Sequence, residues 1–515
     1  MSQSLSPRDQ PRSGQLGPWR DAWAARSVRC GLLGTIAIVL GSFTPAYLPQ
    51  ASPLWGALRW LHLDGVVGQT IGTAMTVLGV SVLVIAWLGL RPATEQGQRL
   101  TGAMARRVLV VWCLPFVIAP VVFSHDVYSY GAQGWMISHG QNPYDAGPGL
   151  LPGAFASYAP WAWRYTPAPY GPLALQIAHG VVNLSGGLPW LSAILMRIPA
   201  FMAVALIAWL LPKLAARLHK NVALVRWFAC LNPLLVIDYI GGGHNDAWMM
   251  GLLVLGLWLA SYRRGWPWAA AVIGLAASIK QPAILACVFL PWLIQPIDSW
   301  HDRLGRIRVI WQALVAAEIA LAVFVLVSLV CGLGFGWISA LSVPGESGSL
   351  SPAYLIGSIL QGLISPGGTW WLSTMTTVML LVGTVVVVSI TLRLGPFDPL
   401  SALAWVMVVT AFAMAALHPW YLLWGGLLLP LARLSKRAWF GVGLVMWVVF
   451  GYMIIVMAVR NGWTGLAAGI IGLICCWAWL WRHFRVGATL SHCWRHKNCD
   501  ASTRRGGLAM EEYDA

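Results

Sequence analysis

The chain runs to 515 residues, of which 58% are hydrophobic and only 10% charged. A soluble globular domain carries about a quarter charged residues, so that class is excluded, and 32 Trp amid long aliphatic runs exclude disordered and fibrous chains as well. The net charge is +16, yet the cations sit in short loops between apolar stretches, which orients a membrane protein and does not build a nucleic-acid groove.

In chain order, residues 1–30 are polar and bear Arg8, Arg12, Arg20, Arg26 and Arg29, which reads as a cytoplasmic tail and not as a signal peptide. Apolar segments suited to a hydrocarbon layer of about 30 Å follow near 31–49, 70–90, 108–123, 190–211, 222–240, 246–262, 267–280, 283–295 and 309–331. Others lie near 371–392, 400–417, 419–433, 438–459 and 463–481, and a second tail occupies 482–515. A β-barrel would need period-two alternation, so the expected class is all-α: one polytopic domain over 31–481 with about fourteen transmembrane helices. With these spans the cation clusters all fall on one side, among them Arg106 and Arg107, Lys213 to Arg226, Arg303 to Arg308, and Arg433 to Arg437. The positive-inside rule makes that side the cytoplasm, with both termini inside.

The opposite face receives one long polar, Pro- and aromatic-rich segment, 124–189, whose apolar stretch 173–186 reads as a surface helix, as does 353–365. Asp64, Asp126, Asp145, Asp238, Asp246 and Glu346 lie on this face. Asp126 stands where the 108–123 span exits, within Phe123-Ser124-His125-Asp126-Val127-Tyr128-Ser129-Tyr130. That position suits a general base of raised pKa, the plainer alternative being a helix cap or a solvated loop acid. The runs Gly140-Gln141-Asn142-Pro143-Tyr144-Asp145 and Tyr165-Thr166-Pro167-Ala168-Pro169-Tyr170-Gly171-Pro172 are rigid and aromatic. They suit stacking on sugar faces or, alternatively, packing at a membrane interface. In Asp238-Tyr239-Ile240-Gly241-Gly242-Gly243-His244-Asn245-Asp246 the glycines permit close backbone approach to a ligand, and His244, Asn245 and Asp246 supply polar groups. Asn245 and Asp246 would serve equally as caps of a helix starting at 247.

Arg197, Lys280 and Arg460 sit away from the cytoplasmic clusters, where a lipid phosphate is the natural partner; for Lys280 the alternative is snorkelling to the interface. The turn Leu417-His418-Pro419-Trp420-Tyr421 adds a His and two aromatics to the outer face. Glu318, inside the 309–331 span, has no reading beyond an internal hydrogen-bond partner. The spacing His492-Cys493-Trp494-Arg495-His496-Lys497-Asn498-Cys499 fits no standard zinc pattern, and no metal or other cofactor is expected. Neither a Gly-Lys-Ser/Thr loop nor an Asp-x-Asp pair occurs, which argues against an ATP-driven pump and against metal-assisted use of a nucleotide-sugar.

Together the runs 125–130, 140–144 and 165–172 resemble the actinobacterial polyprenol-phosphomannose-dependent alpha-1,6-mannosyltransferases, and Asn232-Pro233, Gly243-His244-Asn245-Asp246, Lys280-Gln281-Pro282 and His418-Pro419-Trp420-Tyr421 look like that family's later motifs. The resemblance covers about residues 105–460 and leans towards the branch that starts the mannan backbone. It implies a GT-C fold, a polyprenyl-phosphate-mannose donor, a lipid-linked mannoside acceptor, an extracytoplasmic site and an inverting reaction. In such a site Asp126 is the base, and Lys280, with Arg460 or Arg197, holds the donor phosphate. His125, Tyr128, Tyr130, Asn142, Tyr144, Tyr165, Tyr170, His244, Asn245, Asp246, His418 and Trp420 are then the substrate-binding residues. Two rivals stay open: a transferase for another polyprenyl-phosphate sugar such as arabinose or glucose, and a transporter of lipid-linked sugars. The second is disfavoured because the polar residues gather at one face and no internal repeat is visible.

Overall fold

In the computed structural model, which describes residues 18–297, 299–340, 349–365 and 368–460 with isolated positions between 462 and 478, small residues draw the first two long helices together. These are α1 (Arg26–Ser42) and α2 (Val66–Gly89). A Cβ on Gly34 would lie 2.8 Å from the Gly79 carbonyl oxygen, and one on Gly79 would lie 2.6 Å from that of Gly34. Where the surroundings are as apolar as the side chains, such close backbone packing is what holds helices together.

Helix α3 (Gly102–Cys113) is capped by Thr101, whose hydroxyl accepts from the Met104 N–H at 3.2 Å, and it tightens into a 3-10 turn at Leu114–Val117, where Pro115 lacks a donor. The chain then runs extended and turns through Phe123, whose φ of 65° is in the left-handed region, before α4 (Asp126–Ser138) begins. Helix α5 (Pro172–Leu184) packs on α4, where a Cβ on Gly134 would lie 2.7 Å from the Ala178 carbonyl. Helix α6 (Arg197–Arg217) leads to a broken helix, Val222–Cys230 and Leu235–Gly241, bent by 51° around Asn232-Pro233 and wound largely as π-helix. Next come α7 (Asp246–Ala260), α8 (Trp266–Ala277), 3-10 segments at Gln281–Phe289 and Pro291–Leu293, and α9 (Arg303–Val330). The described fold closes with α10 (Pro352–Ile364), α11 (Trp370–Arg393), α12 (Pro399–Ala413), short turns from Pro419 to Leu431, and α13 (Lys436–Arg460).

The all-α expectation holds, with no strand among the described residues, and the chain is a polytopic membrane protein. Its expected fourteen crossings do not appear as fourteen long helices. Among the described residues four helical stretches are long and apolar enough to cross, Val66–Gly89, Pro189–Arg217, Arg303–Val330 and Trp370–Arg393, or five with the bent pair as one. Helix α8, with 12 residues, covers only about 18 Å. Hydropathy follows composition, whereas Pro233, Pro282, Pro291, Pro419 and Pro430 decide where a helix breaks. The stretches read as surface helices form α5 and α10, of 13 residues each, too short to cross alone. Only Gly383 is buried in α11, so that helix presents its side chains outward. Glu318 is exposed on α9 and is not the internal hydrogen-bond partner expected of it. Glu346, most of 463–481 and the tail from 482 lie outside the described residues.

Candidate active site

Two helices begin with a carboxylate at the same place. Asp126 opens α4 and Asp246 opens α7, and neither side chain caps its helix, so the capping alternatives fall away. Asp126 is 16% exposed; its Oδ1 accepts from the Trp163 indole N–H at 2.9 Å, and its Oδ2 lies 3.9 Å from His244 Nδ1. Burial raises this carboxyl to about 6, against the opposing pull of Lys280 and of the Trp163 hydrogen bond.

Asp246 is fully buried, and Lys280 Nζ donates to both its oxygens at 2.8 and 2.9 Å. The Trp424 indole N–H adds a third bond to Oδ1 at 2.7 Å, and the ammonium stands 4.3 Å above the Tyr421 ring. Lys280 therefore does not snorkel. It is held at the junction of α8 and the 3-10 segment, where the outer loop docks: the Gly171 and Leu173 N–H groups donate to the Ile279 and Ser278 carbonyls at 3.0 and 2.9 Å. A Cβ on Gly171 would collide with the Ser278 carbonyl, so the loop approaches Lys280 only with glycine there.

Gly243, at a φ of 64°, turns the chain so that His244 stacks on Trp420 with centroids 3.9 Å apart, and His418 stacks on the same ring at 4.6 Å. The Tyr130 hydroxyl lies 3.5 Å from both His244 Nδ1 and Asn245 Oδ1, and Tyr130 meets Tyr170 edge-on at 4.9 Å. Burial, reinforced by Lys280 and His418, holds the His244 imidazole well below 6.5, and burial beside Lys280 takes His418 to about 4. Both are neutral at physiological pH, so His244 faces Asp126 as a dipole and not as a counter-ion.

Nine of the expected residues thus converge: Asp126, Tyr130, Tyr170, His244, Asn245, Asp246, Lys280, His418 and Trp420. Others stand back. His125 Nε2 pairs with the Tyr47 carbonyl at 2.9 Å, and Tyr128 packs on Tyr158 and lines an apolar cleft instead. Asn142 Oδ1 accepts from the Tyr144 N–H, and the Tyr144 hydroxyl donates to the Tyr170 carbonyl at 2.8 Å, so both brace the loop. Tyr165 is exposed. The side chain of Arg460 lies outside the described residues.

Arg197 has a different task from the one expected of it. Its guanidinium is buried and donates to the carbonyls of Ala119, Pro120, Ile240 and Gly241 at 2.6 to 3.3 Å, tying the extended segment before Asp126 to the end of the bent helix before His244. Its Nε, Nη1 and Nη2 all donate to backbone carbonyls, which gives it a bracing role in the fold. Arg197→Met should lower the melting temperature in detergent by several degrees, at about 1–3 kcal/mol for each carbonyl left without a donor. An unchanged melting temperature would remove this bracing role.

Nothing in the sequence distinguishes Trp163 and Trp424, the indole donors to the two carboxylates, among 32 Trp. Gln133, on the face of α4 shared with Asp126 and Tyr130, is buried with neither amide atom partnered.

The family model described as alpha-(1->6)-mannopyranosyltransferase, N-terminal domain, matches residues 28–296. Alpha-(1->6)-mannopyranosyltransferase A of Mycobacterium tuberculosis is 30% identical over 437 residues, covering 82% of this chain and 83% of the relative. A second alpha-(1->6)-mannopyranosyltransferase of that organism is 30% identical over 484 residues, covering 82% and 80%. Alpha-(1->6)-mannopyranosyltransferase B of Corynebacterium glutamicum is 26% identical over 484 residues, covering 86% and 78%. On this match across most of its length, the chain belongs to the alpha-(1->6)-mannopyranosyltransferase family of membrane glycosyltransferases.

Proposed function

We propose that the protein transfers mannose, with inversion, from a polyprenyl-phosphate-mannose donor to a lipid-linked mannoside acceptor, making an alpha-1,6 linkage at the outer face of the plasma membrane. The observation that carries this reading is the juxtaposition of a partly buried carboxylate raised to about 6, Asp126, with the Lys280–Asp246 pair and a neutral, ring-stacked His244. Asp126 takes the proton of the acceptor hydroxyl as its oxygen bonds to the anomeric carbon; the bond from that carbon to the phosphate oxygen breaks, and the phosphate leaves with the electron pair. Displacement by one in-line step needs one base and a charge to receive the leaving group. Two of the three Lys280 N–H donors face Asp246, which leaves the third for the phosphate. Tyr130, Asn245, His418 and Trp420 orient sugar hydroxyls and faces.

An apolar cleft of about 260 Å3, lined by Leu48, Leu54, Ile118, Tyr128 and Trp190 among others, supports a lipid donor, since it offers an isoprenyl chain an apolar bed two residues from the base. The one-sided distribution of cations supports cytoplasmic termini and an outward site.

The test is transfer in washed membranes from labelled polyprenyl-phosphate mannose, with the arabinose and glucose donors as parallel arms and linkage analysis of the product. Preference for another donor overturns the sugar, and no transfer from any overturns the enzyme reading. The pH dependence follows from Asp126. A base must be ionised to act, and this one is ionised above about 6, so kcat/KM should fall about tenfold per pH unit below that value. A profile flat from about pH 7 down to about pH 5 would exclude Asp126 as the base.

A further inference from the structure

At the far end of the molecule three cations share one pocket without an acid among them. Arg106 on α3, Lys213 on α6 and Arg226 in the first half of the bent helix line a cavity of about 300 Å3. No Asp or Glu lines it, and none of the three cations forms an ion pair among the described residues. Arg226 Nη1 donates to the Leu100 carbonyl at 3.3 Å, which fixes its fork, while its buried Nε has no hydrogen-bond partner. Buried donors are almost always satisfied, so the unmet Nε–H leaves the positive charge of this guanidinium only partly compensated beside the cavity. Gly102, the first residue of α3, forms part of the same wall: a Cβ there would lie 3.4 Å from Arg226 Nη2 and 3.6 Å from Arg106 Nη1. Two guanidinium groups therefore converge on the positive end of a helix dipole, and an anion relieves their repulsion.

The position and the rest of the lining identify the kind of anion. Along α6, Lys213 lies about 24 Å from Arg197, at 1.5 Å per residue, so the pocket sits near the membrane face opposite the candidate active site. The remaining wall is apolar, with Ala105, Ala208, Trp209, Pro212 and Val222, which a soluble anion would leave unused. We infer that this pocket binds the phosphate-ester headgroup of an anionic phospholipid from the leaflet opposite the active site, with acyl chain against the apolar wall. The inference does not depend on the donor or on Asp126. The two elements it bridges, α3 and the bent helix, are the ones that lead to Asp126 and to His244, so an occupied pocket ties together the roots of both.

The experiment is a binding titration of the delipidated full-length protein in detergent, read by native mass spectrometry and by melting temperature. The arms are phosphatidylglycerol, phosphatidylcholine and inorganic phosphate. Phosphatidylglycerol is expected to bind and to raise the melting temperature, with phosphatidylcholine and inorganic phosphate much weaker. Lys213→Gln and Arg226→Gln should each weaken phosphatidylglycerol about fivefold, while Arg306→Gln, in another cationic cluster, leaves it unchanged. Equal binding of the two phospholipids, or unchanged affinity in both variants, overturns the site. Inorganic phosphate binding as tightly as phosphatidylglycerol overturns the lipid assignment. Lys213 is exposed, so its variant tests the pocket even where the Arg226 change perturbs folding.

Discussion

Asp126→Asn is expected to leave the protein folded and able to bind donor, with mannosyl transfer falling by about 10²–10⁴-fold. The substitution is nearly isosteric. The amide oxygen still accepts from the Trp163 indole, and the preceding Ser124 hydroxyl still accepts from the backbone N–H of residue 126, so the start of α4 keeps its anchors. What disappears is the capacity to take a proton, together with a charge that burial already disfavours. The melting temperature should therefore hold or rise slightly while turnover collapses, and donor affinity measured by equilibrium binding should stay within about threefold. Asp126→Glu is expected to recover part of the rate, since the longer carboxylate still titrates but is displaced from His244. Near-normal turnover in Asp126→Asn would remove Asp126 from the chemistry.

How far these features are legible in sequence depends on what each one needs. The long helices α2, α9 and α11 lie close to the spans read at 70–90, 309–331 and 371–392, because unbroken apolar runs have one good solution in a membrane. The segments between them defeat hydropathy, since 222–240 and 283–295 are as apolar as a span yet are broken at Pro233 or wound as 3-10 helix. Asp126 is legible because it is the acid at a span exit. The Lys280–Asp246 contact is legible in part: the span pattern puts both residues at the same, outer ends of their segments, and the hairpin of α7 and α8 brings those ends together. The bracing by Arg197 is not legible, for a physical reason. In an apolar segment a cation suggests an anion partner, but here the extended backbone at 119–120 and the end of the bent helix at 240–241 supply carbonyls that only a folded chain brings within reach. The indoles of Trp163 and Trp424 carry no local signature at all, because each acts on a carboxylate far away in sequence.

Asp246→Asn and Lys280→Met are expected to be far more damaging to stability than the change at Asp126, by about 3–5 kcal/mol each. Asp246 is fully buried and Lys280 nearly so. Removing the carboxylate strands an ammonium against the Tyr421 and Trp424 rings, and removing the ammonium strands a carboxylate that keeps only the Trp424 N–H. The double variant Lys280→Met/Asp246→Leu distinguishes support from chemistry. Replacing a buried ion pair by apolar side chains of similar volume is often neutral, so the double variant should regain most of the stability that either single change loses. Transfer should not return with it if Lys280 is, as proposed, the cation that receives the leaving phosphate. Melting temperatures in detergent and donor-dependent turnover on the same preparations close the cycle. A double variant that is both stable and active would reduce the pair to a structural bolt and move phosphate binding to another cation.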